Sequence, residues 1–253
     1  MRGEATMNEL ITIPFSHFCE KARWALDWCG IPYVERACLP GMHLRHTRRI
    51  GGRTVPALIR GDGAPLTDST EILRWADAQA PADKKLLPDD AAARAEADAL
   101  EDELDEKLGP ATRLWGYAHG LANRPVLRAM VAPSFPRRSD RALLALLLPV
   151  VGPLIKKQYR VTPDAAERAE AIITDGFDRI SARLAKQPYL SGQRFGASDL
   201  TFAALGGIMV LPTEHRFMRS DVPLTPPMQS FIDKLRTTPA GQHAAKCYRQ
   251  HRG

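Results

Sequence analysis

The chain has 253 residues, 44% hydrophobic and 25% charged, which fits a soluble globular protein with two ordinary domains and a sizeable core. The formal net charge is +6, with basic residues dispersed along the chain and an acidic block at Glu96, Asp98, Glu101, Asp102, Glu103, Asp105 and Glu106. No DNA- or RNA-binding motif accompanies that excess, so no nucleic-acid partner is expected, although a small anionic substrate would profit from it.

The four cysteines, Cys19, Cys29, Cys38 and Cys247, form no C-x-x-C pair and no metal-ligand spacing. No metal site is therefore expected, and a reducing cytoplasm is the expected compartment. Residues 1–9 contain charges and no apolar core, so they read as a loose tail and not as a secretory signal. No HExxH, P-loop, G-x-S-x-G or Rossmann glycine pattern occurs.

Residues 10–26 read as a short apolar strand, a turn and a helix. Leu10, Ile11 and Ile13 are strand-like, and Pro14 ends the run because it has no N–H for a ladder. Ala22, Ala25, Leu26 and Cys29 then repeat at helical spacing, with Glu20, Lys21, Arg23 and Asp27 between them. Ser16 is placed to cap this helix, and Cys19 falls in its first turn. A helix start gathers unpaired N–H groups and the positive end of the dipole, which favours an anion such as a thiolate. A capping serine with an inert, packed cysteine fits the same residues.

Gly30-Ile31-Pro32 closes the helix, and residues 33–38 read as a second strand, completing a βαβ unit. Residues 39–53 read as a loop with one irregular helical turn. Residues 57–60 and 65–67 read as short strands joined by Gly61-Asp62-Gly63, a hairpin. Asp68 or Ser69 then caps a helix ending near Gln79, with Ile72, Leu73 and Ala76 facing inward.

Three stretches, Ser16-His17-Phe18-Cys19, Thr54-Val55-Pro56-Ala57-Leu58-Ile59 and Asp68-Ser69-Thr70-Glu71-Ile72-Leu73, follow one another at telling distances. In them the chain resembles the cytosolic-type glutathione transferases. The resemblance implies a thioredoxin-like α/β domain at residues 8–80, a linker at 81–90 and an all-α helical domain at 91–250. It also implies glutathione as co-substrate, a small hydrophobic electrophile as its acceptor, a role in detoxification and a homodimer.

By that resemblance Ser16 occupies the catalytic position, and Cys19, the resolving position of related C-x-x-C proteins, is the alternative. Val55, ahead of an expected cis proline, would pair its backbone with the cysteinyl part of glutathione. Ser69 would hold the γ-glutamyl carboxylate, and Asp68 would lie near the γ-glutamyl amine. Arg53 lies one residue from where many relatives carry a lysine for the glycyl carboxylate. Simple helix capping also explains Asp68 and Ser69, and a solvated loop suits Arg45, Arg48 and Arg49. Arg113, Trp115, Tyr117 and His119 are candidates for the electrophile pocket by position alone.

The second half reads as helix after helix. Leu100, Leu104 and Leu108 mark one face of a long helix that Gly109-Pro110 should kink. Residues 142–155 are almost wholly apolar, interrupted by Pro149 and Pro153, and are shorter than the ~20 residues a bilayer requires. They read as a buried helix, with a membrane-touching or partner-binding surface as the alternative. Thr162-Pro163-Asp164 starts a helix with Ile172, Ile173, Phe177, Ile180 and Leu184 in its core stripe. Gly196 stands where the family usually has Ser or Thr, leaving Asp199 to supply half of a capping box. Residues 203–211 read as a buried central helix, and the tail as a last helical segment.

Two readings from other classes remain. One is a non-enzymatic binding module on the transferase fold; the other is a glutathione-dependent isomerase or thiol reductase.

Overall fold

Leu10 and Ile11 point to opposite faces of one strand, and both are fully buried. That double burial makes β1 (Asn8–Thr12) the centre of a three-stranded sheet of order β2-β1-β3. The computed structural model describes residues 7–61, 63–217 and 222–252. Residues 1–6, from the expected tail, and Asp62, from the expected hairpin turn, lie outside the described residues. Asn8 and Glu9 belong to β1 and not to a tail, because they pair with Tyr33 and Val34. The chain divides into two units, one ending at Leu86 and the other beginning at Leu87.

In the first unit, β1 runs parallel to β2 (Tyr33–Ala37) and antiparallel to β3 (Ala57–Ile59), with Leu10 opposite Glu35 and Leu58. Ile11 packs with Cys38 and Ala57, and Ile50, Val55 and Ile59 close over them. The expected strand at residues 65–67 is reduced to a single bridge, Leu66 exchanging hydrogen bonds of 2.8 and 2.9 Å with Leu58. Bonded pairs alternate along an antiparallel ladder, so the next one on the other side would need an N–H from Pro56, which has none.

Helix α1 (His17–Trp28) joins β1 to β2 and stops where Gly30 takes φ +70°, a left-handed turn that costs glycine little. The turn after β2 contains the short α2 (Leu44–Thr47) and a 3-10 turn, Arg48–Ile50. Helix α3 (Ser69–Gln79) packs against α1 and buries Ile72, Leu73 and Ala76.

The second unit is helical throughout its regular elements. Helix α4 (Ala91–Glu103) passes through a π-turn, Leu104–Leu108, into α5 (Gly109–Ala122), just before the expected kink at Gly109-Pro110. Pro110 cannot donate, and the Gly109 N–H reaches back five residues to the Leu104 carbonyl, so the wider turn absorbs the proline. Helices α6 (Arg124–Val131), α7 (Arg138–Gln158) and α8 (Pro163–Leu184) follow.

Helix α9 (Ala197–Gly206) is buried along its whole length and packs against α4, α5 and α11. It is shorter at its C-terminal end than the sequence suggests: Gly207–Met209 tighten into a 3-10 turn, and Leu211 takes φ +44°. Helices α10 (Pro226–Thr237) and α11 (Pro239–His251) complete the unit.

Helix α7 corrects the reading of residues 142–155 as a buried helix. Only Gly152 is buried, whereas Leu143, Leu146, Val150 and Leu154 are 37%, 75%, 64% and 58% exposed. Its inner side reaches α5 through Gly152, facing Leu121, and through Tyr159, whose ring lies 5.1 Å from that of Tyr117. Composition without a helical period cannot distinguish inside from outside, and here the leucines took the outside.

Candidate active site

The turn after β1 is built on a hydrogen bond from the Ser16 N–H to the Ile13 carbonyl, 2.9 Å long. Ser16 is extended (φ −75°, ψ 123°) and N-caps α1, its Oγ accepting from the Cys19 N–H at 3.4 Å. That bond is long, the side chain is half-buried, and the hydroxyl also hydrogen-bonds the Cys19 thiol. A hydroxyl rotates freely, so it can turn from that neutral sulfur and donate to an anion at the helix head.

Behind this turn lies an ionic network that the sequence pattern did not reveal. Arg23 is fully buried, as is Glu20, although the helical spacing set both between the apolar positions. Arg23 bonds Glu20 at 2.8 Å and Glu35 of β2 at 2.7 Å, and it donates to the Pro14 carbonyl at 2.8 Å. Thr12 Oγ1 donates to the same Glu35 oxygen at 2.6 Å. Burial opposes the guanidinium charge, but the carboxylates of Glu20 and Glu35 outweigh it and raise the pKa of Arg23.

Cys19 is wholly buried. Burial pushes its thiol up, and the opposing pull of Arg23 and of the Ser16 hydrogen bond does not restore it. Cys19 is thus a neutral, enclosed thiol. Burial also raises the other three cysteines, Cys29 to about 12 with Asp77 adding to the effect. A C-x-x-C scan finds none of this, because depth does not show in spacing.

The remaining first-unit candidates lie around β3 and the start of α3. Ile11 pairs with Ala57, where the ladder ends, and Val55, two residues earlier, packs against the Ile11, Cys38 and Ala57 cluster. The Val55–Pro56 peptide is cis. Lys21, itself buried on α1, donates from Nζ to Thr70 Oγ1 at 2.8 Å and ties the start of α3 to α1.

At the head of α3, Asp68 accepts the N–H groups of Thr70 and Glu71 at 2.8 and 3.3 Å. Two of the helix-start donors are therefore already engaged. Ser69 is 3% exposed, and Asp68 and Arg53 are exposed. Of the second-unit candidates, Trp115 is core: it is 1% exposed, and its Nε1 donates to Glu170 at 2.9 Å. Arg113 lies over the Tyr159 ring at 4.7 Å.

One further cluster escapes the linear sequence. Asp199 Oδ1, His243 Nε2 and Cys247 Sγ lie within 4.8 Å of one another, all buried, a donor set that could hold a metal ion. The carboxylate is already committed. Oδ1 accepts from the Leu190 N–H at 2.8 Å and meets His243 Nε2 at 2.7 Å, while Oδ2 accepts from the Gly196 N–H at 3.1 Å. We read it as a hydrogen-bond node that fixes the start of α9, where Asp199 reaches back to the helix head as the half-capping box requires.

Residues 10–84 match the family model for the glutathione S-transferase N-terminal domain. The whole chain is similar to solved transferase structures. The glutathione S-transferase of Sinorhizobium meliloti 1021 is 19% identical, over 94% of this chain and 92% of that one, with a TM-score of 0.54. The theta class enzyme of the citrus canker pathogen Xanthomonas axonopodis pv. citri, with glutathione bound, is 21% identical over 94% and 96%, at 0.55. The beta-etherase LigF of Sphingobium sp. strain SYK-6 is 18% identical over 95% and 99%, at 0.60. No curated protein gives a significant match. The first unit thus contains a glutathione S-transferase N-terminal domain, and the chain has the transferase fold: a thioredoxin-like α/β domain followed by a helical one.

Proposed function

We propose, from the premise that residues 10–84 form a glutathione S-transferase N-terminal domain within a transferase fold, that this protein is a glutathione transferase. The glutathione thiolate attacks a small hydrophobic electrophile, forming a sulfur–carbon bond as the leaving group departs with its electron pair. A free thiol ionises near pH 8.5, so the protein must favour the anion. The observation that supports this most is the Ser16 hydroxyl, half-buried at the head of α1 beside the helix-start N–H groups. A charge-assisted hydrogen bond of roughly 1.5–3 kcal/mol lowers the thiol pKa by about one to two units.

Val55 aligns the cysteinyl backbone, Ser69 the γ-glutamyl carboxylate and Asp68 its amine, with Arg53 toward the glycyl end. By the same reading the protein is a cytoplasmic homodimer. Thiol reduction through Cys19 is disfavoured, because that thiol is enclosed and its ionisation opposed.

Conjugation of glutathione to a chloronitrobenzene tests the reading. The Ser16→Ala variant should lose about 10- to 100-fold in kcat/KM, while Cys19→Ala keeps most of it. Unchanged activity in Ser16→Ala would remove Ser16 from its role. No heat on calorimetric titration of the wild type with glutathione would instead favour a non-enzymatic module.

A further inference from the structure

The positive charge of this chain is not evenly spread, contrary to the first impression of dispersed basic residues. Residues 124–160 hold eight of the 35 Lys and Arg and one, Asp140, of the 29 Asp and Glu, so they carry +7 in a chain whose total is +6. The rest of the chain is close to neutral. At the centre of this segment lies the exposed apolar face of α7.

Leu143, Leu146, Val150 and Leu154 fall within about 80° of one another around the helix, and the buried Gly152 lies on the opposite side. Arg137, Arg138 and Arg141 flank the face at one end, and Lys156, Lys157 and Arg160 at the other; all six are exposed. Exposed apolar side chains in such a row mark a surface that meets something.

We propose that α7 docks this protein on an anionic lipid surface, lying in the plane of the headgroups with its leucines inserted. The argument is charge complementarity. A helix with an apolar stripe and basic residues at both ends matches a bilayer bearing negative headgroups. A second copy of the same face matches poorly. Antiparallel pairing sets the arginine end against the lysine end, and parallel pairing sets each end against itself.

The stripe spans about 16 Å, roughly half the thickness of a hydrocarbon core, and no single described helix is long and apolar enough to cross a membrane. The α7–α8 pair passes that test by length and composition, but α8 has Ile173, Phe177 and Ile180 buried in the core of its own unit. The helix therefore rests on a bilayer and does not pass through it. The proposal is independent of glutathione chemistry.

The full-length protein mixed with phosphatidylcholine vesicles containing about 30 mol% phosphatidylserine, and with vesicles lacking it, provides the test. At about 0.15 M salt, sedimentation should carry the protein down with the anionic vesicles, and more weakly as salt rises. Leu146→Glu/Val150→Glu should cut the bound fraction about tenfold, and Lys156→Glu/Lys157→Glu, on the exposed flank, should also lower it. Circular dichroism checks that each variant is folded, and the lysine variant serves as the test if the first is not. The proposal falls if the wild type stays in the supernatant with both vesicles, or if folded variants bind as well as the wild type. It also falls if the wild type ignores vesicles and Leu146→Glu/Val150→Glu turns a dimer into a monomer, which would assign the face to a second copy.

Discussion

Arg23 and Pro14 are joined by a hydrogen bond of 2.8 Å, from a guanidinium with no solvent exposure to a carbonyl inside the turn that ends at Ser16. The turn is thus held from within, by a charge that itself depends on Glu20 and Glu35. Arg23→Met removes the guanidinium from both carboxylates and should destabilise the protein by about 3–5 kcal/mol. Three of the four tryptophans, Trp24, Trp28 and Trp75, belong to the first unit, so urea unfolding followed by fluorescence reports the loss. Arg23→Lys should recover little, since an ammonium cannot reproduce the guanidinium's directed contacts to two carboxylates and a carbonyl.

The cysteines give a pH prediction. Burial disfavours the thiolate at Cys19, Cys29, Cys38 and Cys247, which raises each pKa and leaves the neutral thiol dominant at pH 8. A colorimetric disulfide reagent should find no fast-reacting thiol in the native protein at that pH and four after denaturation. Raising the pH to 9 should add little, because burial moves Cys29 to about 12 and raises the other three thiols as well.

At the head of α3 the proposed ligands separate by depth. Ser69 is 3% exposed, whereas Arg53 is exposed. Ser69→Ala should weaken glutathione binding about 5- to 10-fold by calorimetry, the worth of one hydrogen bond, and Arg53→Ala about twofold or less.

Asp199 is expected to matter for stability and not for metal. Asp199→Ala strands two N–H groups and His243 in a buried site, and should cost about 3–5 kcal/mol. Adding zinc or a chelator should leave the melting temperature of the wild type unchanged. A drop with chelator would show that the Asp199, His243 and Cys247 cluster holds an ion.

Much of the first unit was legible in the sequence because its signals are local. Pro14, Gly30 and Asp68 each act through their own backbone, so strand end, helix stop and helix start can be read residue by residue. Arg23 and Glu35 were not legible, since two charges 12 residues apart in sequence look solvated until β2 is laid beside β1. The same holds for Asp199 with His243, 44 residues on. Helix α7 is illegible for another reason: apolar composition alone does not distinguish a buried helix from an exposed apolar face, and the charge excess of its flanks vanishes in a whole-chain sum.

The π-turn at Leu104–Leu108 fixes where the gene can change length. Its Gly109 N–H reaches the Leu104 carbonyl five residues back, so the turn houses one residue more than a regular helix needs. A one-codon deletion there, together with replacement of Pro110 by alanine, would leave Thr112 and Trp115 pointing into the same core. The same deletion a turn away in α5 would swing every later side chain of that helix by about 100°.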